Sequence, residues 1–534
     1  MNSAPALLPD SPALASVEDC FTDARERFDA LISWAAESTG TMSEVEAGAE
    51  KRGQQLMRAV IQGHLVHRSR QEQKQVSVVG NDDVARTERR IGEKTTVSTL
   101  VGDVTVERIR YEGGKGVRSL CPQDGALNLA SGKYSHQVRK RLAFASTHGS
   151  FENAVETVSQ TSAITVPKRQ AEELVRQAAS DFGAFYDQRP LSAMEALNPS
   201  KLLVMTTDAK GILVYPEDLR EETRRKLEKE GHSGLYFRKR MAQVASVYHI
   251  DPYHRSVESI VRGLMGPSVR VVEQKPKRPK PEEKRVWASV VDSCDEVVEQ
   301  MFEEALRRDP ARAATWIALV DGAGHQLELL EDKARAHGVR IVIICDIIHA
   351  LDYLWEAAKV IEAGAPARQK AWVKKRLTAL LEGDVSQVAA GVRRAKTMLR
   401  KRKLTKLQRE TLDNCANYLL NHKRYMRYDQ YILAGYQIGS GVIEGTVRHL
   451  VNDRMAITGA HWRLPSAEAV LRLRALRCSG DFDTYWAFHE QQDLRRNHLS
   501  KYKDGQLPNT IQTTSPQAAP NDPILRLVSE SRSG

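Results

Sequence analysis

Apolar residues recur at two different periods along this chain, and the changes of period divide it into parts. From 16 to about 70, Phe21, Phe28, Leu31, Ile32 and Trp34 fall near helical spacing. Over 95–111, Val97, Leu100, Val101, Val104 and Val106 surround Gly102-Asp103, a dipeptide between β-rich runs that signals a hairpin. Residues 134–186 read as three helices with short turns. The first covers about 135–146, with Val138, Leu142 and Ala145 on one face. The second follows Ser150 as N-cap and carries Phe151, Ala154, Val155 and Val158. The third follows the turn 161–164, with Thr165 as N-cap and Pro167 in its first turn. Residues 198–349 alternate: strands are predicted at 201–208, 211–215, 241–250, 285–291, 315–321 and 339–346, and helices at 293–308, 325–337 and 347–361. The charged stretch 217–240 leads helically into the third of those strands. Residues 365–429 read as wholly helical, and further helices are predicted at 467–477 and 484–498.

Three stretches resist regular structure. Residues 1–17 are rich in Pro, Ala and Ser, and the tail from Asp504 carries Pro508, Pro516, Pro520 and Pro523, so both are predicted to be disordered. Between them, Gln274-Lys275-Pro276-Lys277-Arg278-Pro279-Lys280-Pro281 has too much proline for a helix or strand. It reads as a solvated basic loop, either a linker or a DNA contact.

Charge sharpens the picture. Lys and Arg outnumber Asp and Glu by 79 to 68 in 534 residues, a net +11, which favours polyanionic partners. The excess is concentrated: residues 368–409 hold fourteen Lys or Arg, including Lys374-Lys375-Arg376 and Arg400-Lys401-Arg402-Lys403, against only Glu382 and Asp384. A solvated helix face ordinarily mixes signs, so this self-repulsion makes sense if a phosphate backbone neutralises it. In the three-helix region, Arg139, Lys140 and Arg141 tilt the reading toward DNA, and the third helix opens on Lys168-Arg169-Gln170. Helix, turn and helix is the pattern of a helix-turn-helix, whose last helix enters the major groove by its N-terminal end; an ordinary helical hairpin is the alternative. No apolar run approaches the roughly 20 residues that span a bilayer, and residues 1–16, interrupted by Pro5, Pro9 and Pro12, have no signal-peptide pattern. The six cysteines are scattered without a C-x-x-C pair, which predicts reduced thiols in the cytoplasm and no cysteine-built zinc site.

The chemistry is expected at three acids. Asp208 closes the run Leu202-Leu203-Val204-Met205-Thr206-Thr207, Asp321 closes Trp316-Ile317-Ala318-Leu319-Val320, and Glu444 follows Gly439-Ser440-Gly441-Val442-Ile443 at the start of a helix. A strand-end aspartate by itself is usually a turn former. Two of them with a helix glutamate, in a basic chain, are what is needed to hold two Mg²⁺ or Mn²⁺ ions against a phosphodiester. Asp346 and His349, at i and i+3, share a face at a helix start. Asp346 could replace Asp321 as second ligand; His349 could orient a ligand, touch DNA, or simply pack.

These residues resemble the ribonuclease H-like core of DDE transposases, split by an all-helical insertion. The resemblance is to bacterial insertion-sequence transposases of the Kra type, related to the Mutator group. It is carried over about 95–480 by Asp208-Ala209-Lys210-Gly211-Ile212, Arg238-Lys239-Arg240-Met241-Ala242, Asp321-Gly322, Asp346-Ile347-Ile348-His349, Gly439 to Glu444, Arg454-Met455 and Gly459-Ala460-His461-Trp462. It implies that Asp208, Asp321 and Glu444 are catalytic and bind the metals, with Asp346 and His349 supporting. Arg454 and Trp462 join Lys168, Arg169, Gln170, Lys374, Lys375, Arg376, Arg400, Lys401 and Arg402 as expected DNA contacts. In the family a glycine more often follows the first aspartate; Ala209 leaves the backbone less free there but removes no ligand. The implied fold class is α/β: a ribonuclease H-like core interrupted by an all-α insertion and preceded by a small α+β region and a helix-turn-helix. The implied boundaries are a disordered 1–17, α+β 18–125, helix-turn-helix 126–195, core 196–364, basic insertion 365–436, final core helices 437–480, and a C-terminal helix with tail 481–534. The implied partners are double-stranded DNA, as element ends and target, and a second copy of the chain in a homodimer or larger assembly. The expected setting is the bacterial cytoplasm, at the nucleoid. A regulator that keeps the fold without catalysis, or a nuclease without strand transfer, are the competing readings.

Other chemistries find no motif. Gly132-Lys133 is followed by Tyr134 and lacks the upstream glycine of a phosphate-binding loop, and neither H-E-x-x-H nor G-x-S-x-G occurs.

Overall fold

The computed structural model describes residues 17–189, 198, 200–229, 238–266, 278–399, 404–439 and 441–510. The chain is mixed α/β and gathers into two compact units. One comprises Met1–Leu142, Val155–Lys168 and Ala487–Gly534; the other comprises Ala143–Ala154 and Arg169–Trp486. Residues 126–195 therefore contribute to both.

In the first unit, the N-terminal periodicity becomes helices Val17–Cys20, Thr22–Glu37 and Met42–Arg70. The long helix starts where Thr41 and Glu44 form a reciprocal capping box. Strands β1 (Val78–Val79) and β2 (Ala85–Arg86) pair briefly, and β3 (Glu88–Thr99) and β4 (Gly102–Glu112) form the expected hairpin. Its turn is not Gly102-Asp103, however: Thr99 pairs with Gly102, so Leu100 and Val101 make the turn and Gly102, at φ +111°, opens β4. One apolar cluster joins Leu65 to Val104 and Val106; a second joins Val78, Ile109, Tyr111 and Leu120 to Tyr502, with Leu507 against it. The tail is thus ordered beyond Asp504. Gln73 N donates to Thr510 O at 3.1 Å, and Gln75 Nε2 to Asn509 O at 2.6 Å, which corrects the expected start of disorder. Residues 1–16 and 511–534, where disorder was also expected, lie outside the described residues.

The three expected helices form at His136–Ser146, Phe151–Gln160 and Lys168–Ala178. Ser150 Oγ accepts from Asn153 N at 3.1 Å, as an N-cap should. The third helix begins at Lys168, so Pro167 immediately precedes it and Thr165 lies outside it.

The second unit is built on a five-stranded mixed sheet with order β7-β6-β5-β8-β9. Here β5 is Leu202–Leu213, β6 Lys239–Ile250, β7 Glu282–Ser289, β8 Thr315–Val320 and β9 Ile341–Cys345. β5 and β6 are antiparallel, as are β6 and β7, while β8 runs parallel to β5 and β9 parallel to β8. Residues 202–207 of β5 and 316–320 of β8 are buried, which explains their unbroken apolar runs: a sheet covered on both faces needs no alternation. Helices Cys294–Arg308, against β5 and β6, and Leu464–Ser479, against β7, supply part of that cover. The basic segment folds as helices Pro366–Leu381, Val385–Met398, Lys406–Asn421 and Tyr428–Leu433. Of the basic loop before β7, residues 278–281 are described and take no regular structure, and 274–277 lie outside the described residues.

Two expectations change. The strands predicted at 201–208 and 211–215 are one strand, because β6 continues to pair with β5 through Leu213 after β8 has ended. Helix Val257–Met265, capped by Ser256, stands where no element was predicted.

Candidate functional site: an acidic cluster at the ends of parallel strands

The strand register brings three aspartates level. β5 and β8 pair from Leu202 with Thr315 to Thr206 with Leu319; two residues further on in each lie Asp208 and Asp321. β8 and β9 pair to Val320 with Cys345, and the next residue in each is Asp321 and Asp346. The Asp346 N–H donates to Val320 O at 2.8 Å, so the ladder holds to its last rung. Neighbouring strands lie about 4.8 Å apart, so three carboxylates start from one edge of the sheet.

Each acid is fixed differently. Asp208 is half-buried inside β5, and its Oδ1 accepts from Ala209 N at 2.6 Å. Asp321 is half-buried in the loop after β8, with Oδ1 accepting from Ala323 N at 3.1 Å. Gly322 follows at φ +95°, a conformation that favours glycine. A side chain there would also crowd Cys345 Sγ, at 3.2 Å from its Cβ. Asp346, 3% exposed, caps helix Ile347–Ile361 by accepting from Ile348 N at 2.8 Å.

Glu444 stands exposed on helix Gly441–Thr446. Just before it, Gly439 lies so close to the cap that a Cβ would sit 3.7 Å from Asp346 Oδ1. Ser440 lies outside the described residues. The helix continues as a π-helical turn, Val447–Asn452, a form often found at functional sites. Buried Arg474 donates to Leu450 O at 2.8 Å and also to His449 O, holding carbonyls of that wide turn.

Charge couples the group. Burial, and then Asp321, push the Asp208 carboxyl above its ordinary value, against the bond from Ala209 and the charges of Lys210 and His349. Burial likewise raises Glu444, followed by Asp346, Asp352 and Asp208, with His349 opposing. Asp208 therefore feels Asp321, and Glu444 feels both Asp208 and Asp346. Among the described residues, no three His, Cys, Asp or Glu side chains are drawn together closely enough to form a metal-holding group. The arrangement is an acidic edge, not a closed shell.

The helices between Pro366 and Leu433 reach this edge through residues that sequence reasoning missed. Tyr418, on Lys406–Asn421, donates to Asp321 O at 2.8 Å, stacks on Tyr353 at 4.2 Å and meets His349 edge-on at 5.7 Å. Burial first, then Cys345 and Asp321, raise its phenol, which keeps it a donor. Tyr428 OH donates to Cys345 O at 2.8 Å. Burial, with Asp321 and Asp346, pushes the Cys345 thiol up to about 12, so it is a neutral packing group. Gln326 is buried behind Asp208, with Nε2 donating to Thr207 O at 3.2 Å. Tyr418 and Tyr428 had no local signal; Gln326, five residues after Asp321 in a helix start, had a weak one.

Several expected DNA contacts are internal. Arg454 is 3% exposed, donates to Ser146 O at 3.1 Å and lies 4.6 Å over the Trp462 ring. Trp462 is 4% exposed and donates to Met455 O at 3.0 Å. Both hold the chain beside β5, where Trp462 N donates to Leu213 O. Arg139, expected to favour DNA, is also buried and donates to Tyr134 O and Ser131 O. Arg240, which belongs to a segment quoted only for the resemblance, donates to Val290 O and Asp218 O. By contrast Lys168, Arg169, Gln170, Lys374 and Lys375 are exposed, and Arg376 is half-buried over the Trp372 ring at 5.0 Å. Arg400, Lys401 and Arg402 lie outside the described residues.

The six cysteines are free, and among the described residues no helix is long and apolar enough to cross a membrane. Compared with protein-family models and with curated proteins, the sequence matches none of them.

Proposed function

We propose that this chain is a metal-dependent DNA transposase of the bacterial insertion-sequence Kra type, with a ribonuclease H-like core split by the basic helical insertion. One observation carries the reading: Asp208 and Asp321 stand level at neighbouring parallel strands, with Glu444 inside the field of Asp208. Carboxylate oxygens suit Mg²⁺ or Mn²⁺, and the burial and the neighbouring acids that raise Asp208 and Glu444 are costs that a divalent cation would relieve. Asp208, Asp321 and Glu444 are the ligands in this reading, and bound cations would activate an attacking oxygen and stabilise the leaving one. The chain's own part is positional. β5 and β8 hold two carboxylates at strand spacing, Asp346 fixes the start of helix Ile347–Ile361, and His349 lowers the cost of charge on Asp208 and Glu444. Lys168, Arg169 and Gln170 would read DNA; Lys374, Lys375 and Arg376 would grip its backbone. Pairing of two DNA ends before strand transfer calls for a homodimer or larger assembly.

A second reading, a DNA-binding regulator without catalysis, is favoured by the acids' not being gathered into one shell. Asp208→Asn, Asp321→Asn and Glu444→Gln decide between them. The transposase reading expects each to abolish Mg²⁺-dependent cleavage and leave DNA binding intact. Wild-type binding without cleavage in either Mg²⁺ or Mn²⁺ would select the regulator.

A further inference from the structure

Beside the acidic edge lies a cavity of about 260 Å³ that the metal chemistry does not use. Leu264 and Ile348 give it apolar walls, Tyr253 an aromatic one, and Gly439, which abuts Asp346, forms part of its rim. Arg255 and Arg278 also line it, as do the polar Ser259, Tyr436 and Gln437. Arg255 Nε is buried and has no hydrogen-bond partner, while its guanidinium carbon lies 5.3 Å from the Tyr253 ring centroid. Burial, and next the like charge of Arg278, hold the Arg255 guanidinium below its ordinary value. Two arginines at one cavity of mixed lining, one with a buried donor that has no partner, suit an anion attached to a flat apolar group.

We propose that this cavity takes a single nucleotide turned out of the DNA strand next to the scissile phosphate, its base between Tyr253 and Leu264 and its phosphate on Arg255 and Arg278. The inference rests on the reading of the acids as a phosphodiester site, whose edge the cavity shares through Ile348 and Gly439. Its volume lies just below the roughly 300–1,000 Å³ of drug-sized pockets, which leaves room for one base but not for paired duplex. Every base has a face to stack on, so the pocket would be tolerant of sequence. Turning a base out costs unpairing, least where the nucleotide is already unpaired.

The test compares two probes on the full chain: a perfect duplex, and the same duplex with one unpaired adenosine. Wild type is expected to bind the second at least about tenfold more tightly, because unpairing is already complete. Leu264→Trp, which fills the cavity, and Arg255→Gln, which removes its buried donor, should each bring that ratio close to one. Equal binding of both probes by wild type, or a ratio that survives both substitutions, overturns the cavity proposal and leaves the transposase reading standing. Binding of neither probe overturns both.

Discussion

If the acids repel one another in the metal-free protein, removing one charge should stabilise the fold. Asp208→Asn is the cleanest perturbation, since asparagine keeps an oxygen to accept from Ala209 N–H. Adjacent strands set the backbones at Asp208 and Asp321 about 5 Å apart, and the charges are taken at the same spacing for an order of magnitude. Two unit charges at that distance repel by about 0.8 kcal/mol in water-like surroundings and about 3 kcal/mol at an effective dielectric of 20. Both groups are half-buried, so the variant should gain about 1–3 kcal/mol in chelator. At about 2 °C per kcal/mol for a unit of this size, melting should rise by about 2–6 °C. Magnesium should reverse the order. A ligand at a hundred times its Kd adds about 2.7 kcal/mol to a protein that binds it, and on the proposed reading the variant would lack one of the metal's ligands. Thermal melts of both proteins, with chelator and with Mg²⁺, make the comparison without any DNA. A variant less stable than wild type in chelator would refute the repulsion. An equal Mg²⁺ shift in both proteins would remove Asp208 from the metal site.

Three further expectations concern other groups of the chain. Glu304 is fully buried among Arg285, Arg307 and Arg308; burial pushes its carboxyl up, but Arg285, Arg308 and Arg307 outweigh this and hold it at about 2. A carboxyl lowered on folding stabilises above its unfolded value and loses that stability as pH falls through the folded one, so Glu304→Gln should cost about 3 kcal/mol at pH 7 and less below about pH 4.5. Urea unfolding followed by tryptophan fluorescence measures this, and a cost under about 1 kcal/mol at pH 7 would contradict it. Tyr418→Phe removes the bond to Asp321 O, about 1 kcal/mol, and should slow cleavage while DNA affinity stays unchanged; an unaltered rate would show that the tyrosine only packs. Replacing Lys374, Lys375 and Arg376 with Gln should lower the slope of log K against log salt by roughly 0.9 for each phosphate no longer neutralised, and an unchanged slope would turn that face toward solvent or protein.

The legible parts of this chain are those where local pattern and tertiary packing agree. Helix Ile347–Ile361 starts and ends where the sequence placed it, and Cys294–Arg308 begins one residue after the expected 293, because Ser293 forms a capping box with Glu296. β5 reads as two strands in the sequence because its second half contains Lys210, exposed, and Gly211, which pair only with β6. Helix Val257–Met265 had a readable signal: Val257, Ile260, Val261 and Leu264 at helical spacing behind Ser256. Arg454 and Trp462 show the opposite failure. A basic and an aromatic residue in a DNA-binding context suggest a docking surface, but each side chain instead satisfies a backbone carbonyl inside the fold. Three acids could be ranked by their strand-end and helix-start positions. That the aspartates stand level could not be read, since it depends on the offsets of two parallel ladders.

The helices between Pro366 and Leu433 carry two kinds of side chain on different faces. Its inward tyrosines bind carbonyls at the ends of β8 and β9: Tyr418 at Asp321 and Tyr428 at Cys345, the residue before Asp346. Its exposed Lys374 and Lys375 are on helix Pro366–Leu381, whose Val373, Leu377, Leu380 and Leu381 are buried. An acidic edge beside a strongly cationic helical segment could have been neutralised by direct pairing, yet Asp208 and Glu444 are raised chiefly by burial and by other acids. Leaving both charges unspent makes sense when separate partners answer them: phosphate for the lysines and a divalent cation for the acids. On that logic tyrosine substitutions should alter the acidic edge without changing the salt dependence of DNA binding, and lysine substitutions should do the reverse. A lysine-to-glutamine variant that shifted the Mg²⁺-dependent melting would show that the two faces are not independent.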